Sequence, residues 1–427
     1  MSEIYFYKGK ENVLDGSDEK DQILKIKSEL SKVFDTKSLS FLIGSGCSSF
    51  WDNDFDMEVG IPTMKYLAEE FYKPSASNES LSNEDLQYLQ NDLCINIADD
   101  SIKSNIERFL DILYSLSYYI NKTEIPIRTS VAANMIDRHN TEIKTKLPVL
   151  IEKTKLFILK KCLNEINQFT GYDEKLVELY ETFYRKLLYR NPNLPKPNIF
   201  TTNYDLYSET ALDNIGILYT NGFSGGINKY FNPTIFNYAF AEKMDLSQNK
   251  WNVIDNFIYL YKIHGSINWV EDKFASNKLF KIKEIQDPTF DKLKSKESIM
   301  IYPTPTKQNA SLGSPYADLF REFQKKLMQN NNVLITMGYS FGDEHINNLI
   351  YQAFTIPSFR LIAFIEKGEK SEKLIELDDP RIWIIGGKMS DDKQLHFFSQ
   401  IVSQLLPDLT NDEIDEKIEN AIKKLMS

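Results

Sequence analysis

Four short apolar runs in this chain each break off into a turn built of glycine, asparagine or hydroxyl residues. They are SFLIGSGCSS, NIFTTNYD, YLYKIHGS and NVLITMGYSFGD, ending at Ile43, Thr201, Ile263 and Met337. An apolar run of four to eight residues bounded by turn residues reads as a strand buried on both faces. Stretches of helical period lie between several such runs, and strands alternating with helices imply a parallel, doubly wound sheet. In open sheets of that kind, ligands bind beyond the carboxyl ends of the strands. The four turns are therefore where function is sought.

Six strands follow the first one, Ser38–Ile43: Asn198–Thr201, Phe257–Ile263, Ser298–Tyr302, Asn332–Met337, Phe359–Ile365 and Arg381–Ile385. A helix is expected at Thr63–Phe71, after the turn Val59-Gly60-Ile61-Pro62. Between about Asn83 and Arg190 the pattern is helical throughout. Ile102, Ile106, Phe109, Leu110 and Leu113 share one face, with Ser104 and Glu107 as a capping pair. The stretch NPNLPKPN then stops helix propagation. The fold expected is α/β: a doubly wound, mostly parallel Rossmann-like sheet with a large all-helical insertion. Its divisions are an N-terminal segment 1–36, a dinucleotide-binding domain 37–75 and 196–405, the insertion 76–195, and a C-terminal helix 406–427. That last helix carries Ile414, Ile418, Ile422 and Leu425 on one face and a capping pair at Thr410 and Glu413.

The 427 residues carry a formal net charge of −11, which argues against broad electrostatic binding to nucleic acid or anionic lipid. Only three cysteines occur, Cys47, Cys94 and Cys162, far apart and without a CxxC pair. A cysteine-rich zinc site is excluded on that spacing, and the reducing cytoplasm is the natural compartment. The N-terminus has no apolar core of a signal peptide, and no apolar run reaches the length of a membrane span.

Each turn has two readings. Gly44-Ser45-Gly46-Cys47-Ser48-Ser49 lets the backbone approach a pyrophosphate, or is simply a tight turn. Ser49 replaces the third glycine of a dehydrogenase fingerprint, and no acidic residue ends a second strand. Thr202, Asn203 and Asp205 cap the next helix, or hold a ribose and position a water. Of the four histidines, only His264 stands where an apolar strand gives way to glycine; it is either structural or a general base. Gly338, Tyr339, Ser340 and Phe341 cradle an adenosine ribose and base, or form a strand-to-helix turn capped by Asp343.

Taken together, these turns resemble the sirtuin family. GSGCSS resembles its Gly-Ala-Gly-x-Ser loop, and VGIP its Gly-Ile-Pro segment ending here at Pro62. TTNYD resembles its Thr-Gln-Asn-x-Asp, IHGS its histidine-glycine pair, and GYSFGD its later Gly-Thr-Ser loop. The resemblance covers residues 38–75 and 196–390 and leaves out the helical insertion. Deacylating sirtuins also carry a four-cysteine zinc module that this chain lacks. The pattern is closer to the sirtuin-like proteins of bacterial anti-phage defence, as are NIERFL, MIYPTPTK and SPYADLF. The resemblance implies NAD as substrate, no metal, and hydrolysis to nicotinamide and ADP-ribose. It implies His264, Asn203 and Asp205 as catalytic residues, with Gly44, Ser45, Gly46, Ser48, Pro62, Thr202, Gly338, Tyr339, Ser340 and Phe341 around the NAD. It also implies a homo-oligomer working with a HerA-type ATPase, with nucleic acid involved only indirectly. The alternatives are an NAD-dependent protein deacylase and a non-catalytic subunit that senses NAD or ADP-ribose.

Overall fold

The computed structural model describes residues 3–14, 16, 18–52, 57–74, 80–122, 133–163, 172–188, 190–191, 193–241, 253–254, 256–272, 281–294, 298–300 and 314–407. The chain divides into two compact units. The first is Met1–Val59, Gly171–Ile263 and Asp318–Ser427; the second is Gly60–Thr170 and His264–Ala317.

The first unit is built on a nine-stranded sheet. Its strands are β1 (Glu3–Lys8), β2 (Glu11–Asn12), β3 (Ser38–Ile43), β6 (Asn198–Thr201), β7 (Leu218–Thr220), β10 (Phe257–Lys262), β14 (Asn332–Met337), β15 (Arg360–Phe364) and β16 (Ile382–Lys388). They stand in the order β2-β1-β16-β15-β14-β3-β6-β10-β7. From β16 to β7 every pairing is parallel. Only β1 and β2 run against their neighbours. The fold is thus α/β, with a large, mostly parallel sheet, as expected. The smaller strands β4 (Ser49–Asp52) and β5 (Met57–Gly60) form a ribbon, and β8 (Phe223–Ser224) pairs with β9 (Lys229–Phe231).

Six of the seven expected strands form where the apolar runs stand. β3 is buried at all six positions, because a central parallel strand is covered on both faces. Phe41 packs edge-on against Phe34 of helix α1 (Glu19–Phe34) at 6.2 Å and Phe183 of helix α6 (Tyr172–Leu188) at 5.5 Å. Phe200 aligns with Leu42, one residue further along, and so points to the other face. There it stacks on Tyr261 at 4.5 Å and meets Phe323 of the helix Tyr316–Leu327 at 4.8 Å. Two helical layers therefore sandwich the sheet.

The second unit holds helices α2 (Met64–Tyr72), α3 (Asn83–Asn91), α4 (Ile106–Lys122) and α5 (Ala133–Cys162). Its core includes Phe71 against Phe157 at 4.9 Å and Tyr72 against Phe109 at 5.4 Å. α4 begins one residue later than its sequence suggests. Asn105, not Ser104, accepts the Arg108 N–H through its side chain, at 2.9 Å. A short antiparallel sheet completes this unit: β11 (Gly265–Glu271) between β12 (Ile282–Glu284) and β13 (Ser298–Met300).

Some boundaries fall elsewhere than the sequence suggests. The N-terminal segment is part of the main sheet through β1. α6 belongs to the first unit, whereas α3 to α5 belong to the second. The expected strand Ser298–Tyr302 is described only as β13, which runs antiparallel to β11 rather than joining the parallel sheet. Residues 408–427, and with them most of the expected C-terminal helix, lie outside the described residues.

Candidate functional site

β14, β3, β6 and β10 are adjacent and parallel, so their carboxyl ends share one edge of the first unit's sheet. Met337 aligns with Ile43, Ile43 with Thr201, and Thr201 with Lys262. The turns that the sequence singled out leave the sheet beside one another because of this register.

The glycine turn is pressed against the β14 turn. A Cβ on Gly44 would stand 2.4 Å from the Gly338 carbonyl oxygen, and one on Gly46 would stand 2.9 Å from Gly338 Cα. Gly338 has a left-handed φ of +61°, and a Cβ there would sit 2.6 Å from the Cys47 nitrogen. Three glycines are thus required for two backbones to touch. The N–H groups of Gly44 and Gly46 are already spent: they donate to the carbonyls of Met337 (2.9 Å) and Gly338 (3.0 Å). A pyrophosphate would therefore take other donors than these two. Residues 45–47 form a single 3-10 turn with Ser45 exposed and Cys47 buried. Burial, and secondarily the charge of Asp205, pushes the Cys47 thiol well above its ordinary pKa, so it is not a nucleophile.

The β6 turn is tied to the glycine turn through side chains. Thr202 N–H donates to the Ile43 carbonyl at 3.1 Å, and Asn203 N–H to Thr201 Oγ1 at 3.0 Å. Asn203 Nδ2 donates to the Gly44 carbonyl (3.0 Å) and to Ser48 Oγ (2.8 Å). Ser48 Oγ in turn donates to Asp205 Oδ2 at 2.6 Å. Asp205 Oδ1 accepts the Tyr207 N–H at 3.1 Å, at the start of α7 (Tyr207–Asn214). The capping reading of this turn is realised by Asp205, which accepts the first N–H of α7. Asp205 works as a cap and brace. Asn203, which is 7% exposed, is oriented by its two donated bonds while its carbonyl oxygen Oδ1 accepts none. A buried amide oxygen without a partner costs about 1–3 kcal/mol unless a ligand or water fills it.

The β14 turn is closed on itself. Tyr339 Oη donates to Asn347 Oδ1 at 2.9 Å, and Asn347 Nδ2 donates to the Phe341 carbonyl at 2.9 Å. Asp343 Oδ1 caps the helix Glu344–Ala353 by accepting from the N–H groups of His345 and Ile346. Tyr339 and Phe341 are buried, with ring centroids 5.0 Å apart, so neither presents a face for stacking on a base. Ser340 is exposed between them.

Sequence reasoning passed over Lys262 and Glu209. Lys262 Nζ, in a side chain only 1% exposed, donates to the carbonyls of Tyr204 (3.3 Å) and Asp205 and pairs with Glu209 Oε1 at 3.1 Å. Burial raises the Glu209 pKa, and the Lys262 charge opposes that rise. The signal was present in the sequence: one lysine inside the apolar run FIYLYK.

Two expected site residues belong to the second unit. His264 is its first residue of the segment His264–Ala317; it is buried at 9% exposure and precedes Gly265, whose φ is +86°. Pro62 is half-buried in the turn ahead of α2. Among the described residues, no group of three or more His, Cys, Asp or Glu is placed to hold a metal ion. No described helix is long and apolar enough to cross a membrane.

Residues 197–385 match the family described as the SIR2-like domain. The match runs from the start of β6 into β16 and takes in the β6, β10 and β14 turns. It leaves out the glycine turn, which the hydrogen bonds of Asn203 nonetheless bind to the matched region. A SIR2-like domain fits a sirtuin-like family and NAD-related activity in general. No curated protein matches the chain.

Proposed function

We propose that this protein hydrolyses NAD at the bond between nicotinamide and ribose. The observation that carries the reading is the buried Oδ1 of Asn203, which no protein donor reaches and whose direction is fixed at the carboxyl end of β6, a strand within the region matched by the SIR2-like domain. An acceptor held there suits a ribose hydroxyl or the attacking water, because both have protons to donate.

Nicotinamide leaves as a neutral molecule from a cationic ring, so the site need not protonate it. Cleavage passes through an oxocarbenium-like state, as in glycoside hydrolysis. The C1′–N bond breaks with its electron pair going to the ring nitrogen. A water oxygen bonds to C1′, and its proton passes to His264 as general base. Asn203 orients the ribose or the water. Asp205, through Ser48, keeps the asparagine amide from turning. Gly44, Ser45, Gly46 and Thr202 give the dinucleotide a close backbone surface, and Pro62 lies in the segment that follows. Gly338, Tyr339 and Phe341 hold the shape of the adenosine end, with Ser340 as its exposed hydroxyl.

On the sequence resemblance alone, we further propose that the activity serves anti-phage defence by depleting NAD in the cytoplasm. The protein would then act as a homo-oligomer with a HerA-type ATPase.

The test is nicotinamide release from NAD by the purified chain, alone and with such an ATPase and DNA. Turnover that disappears in Asn203→Ala and His264→Ala, both still folded, supports hydrolysis. Release that depends on an acetylated peptide would favour the deacylase. Tight NAD binding without turnover in every condition would favour a sensing subunit.

A further inference from the structure

We infer that the buried Lys262–Glu209 pair is a positioning device that holds the Asn203–Asp205 turn in its working shape. The inference rests on the NAD reading above for what the turn does, but not for how it is held.

β6 is only four residues long and ends at Thr201. The next helix, α7, begins at Tyr207, and its N-cap Leu206 offers no side-chain bond. The carbonyls of Tyr204 and Asp205 lie between strand and helix. Lys262 stands across from Thr201 on the neighbouring strand, and it is Lys262 Nζ that donates to both of them. Glu209, in the first turn of α7, pairs its carboxylate with the same ammonium at 3.1 Å. The lysine therefore ties β10, the turn and α7 together at one point.

The chemistry of the pair argues for this role. A buried ion pair is a poor source of stability, since two apolar side chains of similar volume commonly do as well or better. What an apolar pair cannot supply is a donor for the carbonyls of Tyr204 and Asp205. Asn203 is the residue just before Tyr204, so its amide direction depends on that backbone. Misplacement of a substrate-orienting group by about 1 Å costs on the order of 100-fold in rate.

The test uses the full-length chain and compares Glu209→Gln with the double variant Lys262→Met/Glu209→Gln. Glutamine keeps an oxygen where Lys262 finds one, so Glu209→Gln should retain kcat within about 3-fold. The double variant removes the buried charge as a pair and leaves no lone ion. Its amides at 203–207 should exchange with deuterium about 10-fold faster, while those of β14 keep their rate. Its kcat for nicotinamide release should fall about 10- to 100-fold, with KM changing far less. Exchange and kcat equal to those of Glu209→Gln would overturn the proposal. If the double variant does not fold, Lys262→Arg replaces it, with the same expectations in weaker form. Collapse of both would make Lys262 a folding element and also overturn the proposal. A wild-type chain inert toward NAD would sink the NAD reading, and the exchange measurement would still decide the clamp.

Discussion

The turn after β6 and the turn after β14 use similar residues and reach opposite ends. Both leave a buried strand, both place an asparagine under the turn, and both lead through an aspartate into a helix. After β14, Asn347 accepts through Oδ1 and donates through Nδ2, and Asp343 caps the helix. After β6, Asn203 donates through Nδ2 to two acceptors, while its buried Oδ1 accepts nothing. An asparagine whose amide oxygen and nitrogen are both answered within its own turn serves architecture. A turn that fixes an amide and leaves one oxygen open carries a standing cost that a ligand can relieve. Position at a sheet edge therefore nominates both turns, and hydrogen-bond completion separates them.

The sharpest way to break this contrast is to delete each polar group in turn. Asn203→Ala should lower kcat/KM for NAD by about 1,000-fold, close to 4 kcal/mol of transition-state stabilisation. Its melting temperature should fall by only about 3–5 °C, because losing the bonds to the Gly44 carbonyl and Ser48 Oγ is partly offset by removing the unpartnered oxygen. Steady-state kinetics and thermal denaturation measured together check this.

Gly338→Ala attacks the backbone contact between the two turns. Its Cβ meets the Cys47 nitrogen at 2.6 Å from a left-handed conformation, so about 3 kcal/mol of stability should be lost. An unchanged urea midpoint would show that the contact yields easily. Tyr339→Phe is the mirror image of Asn203→Ala. It leaves the buried Asn347 Oδ1 without its donor and should cost about 1–2 kcal/mol of stability, with kcat within about 3-fold. A large loss of turnover with intact stability would place the β14 turn in the chemistry and erase the distinction. The smallest effect is expected of Ser340→Ala: stability within about 0.5 kcal/mol for an exposed side chain, with ADP-ribose binding about 10-fold weaker by calorimetry.

Much of the first unit's sheet was legible because central parallel strands need continuous apolar runs. Ser38–Ile43, Asn198–Thr201 and Asn332–Met337 form as their sequences imply. β1, Glu3–Lys8, is a run of four apolar and aromatic residues with a charge at each end, and its antiparallel partner β16 lies nearly 400 positions away, so the run alone does not place it in the sheet. The strand at Ser298 was placed in the wrong sheet because an apolar run carries no information about its partner. The glycines at 44, 46 and 338 were legible as constrained positions. Their reason, one backbone lying on another, required the distance between residues nearly 300 positions apart in the chain. Lys262 escaped notice because a single charge in an apolar run reads as noise until its acceptors are located.

The central claim is that the substrate's ribose or a water bonds to Asn203 Oδ1, and the most direct measurement is a structure of the chain with ADP-ribose, which carries every sugar hydroxyl of NAD. The account predicts a terminal ribose hydroxyl, or a water bonded to it, within about 3.2 Å of Asn203 Oδ1. ADP-ribose bound away from the carboxyl edge of β3, β6 and β14, with Asn203 Oδ1 still vacant, would contradict it.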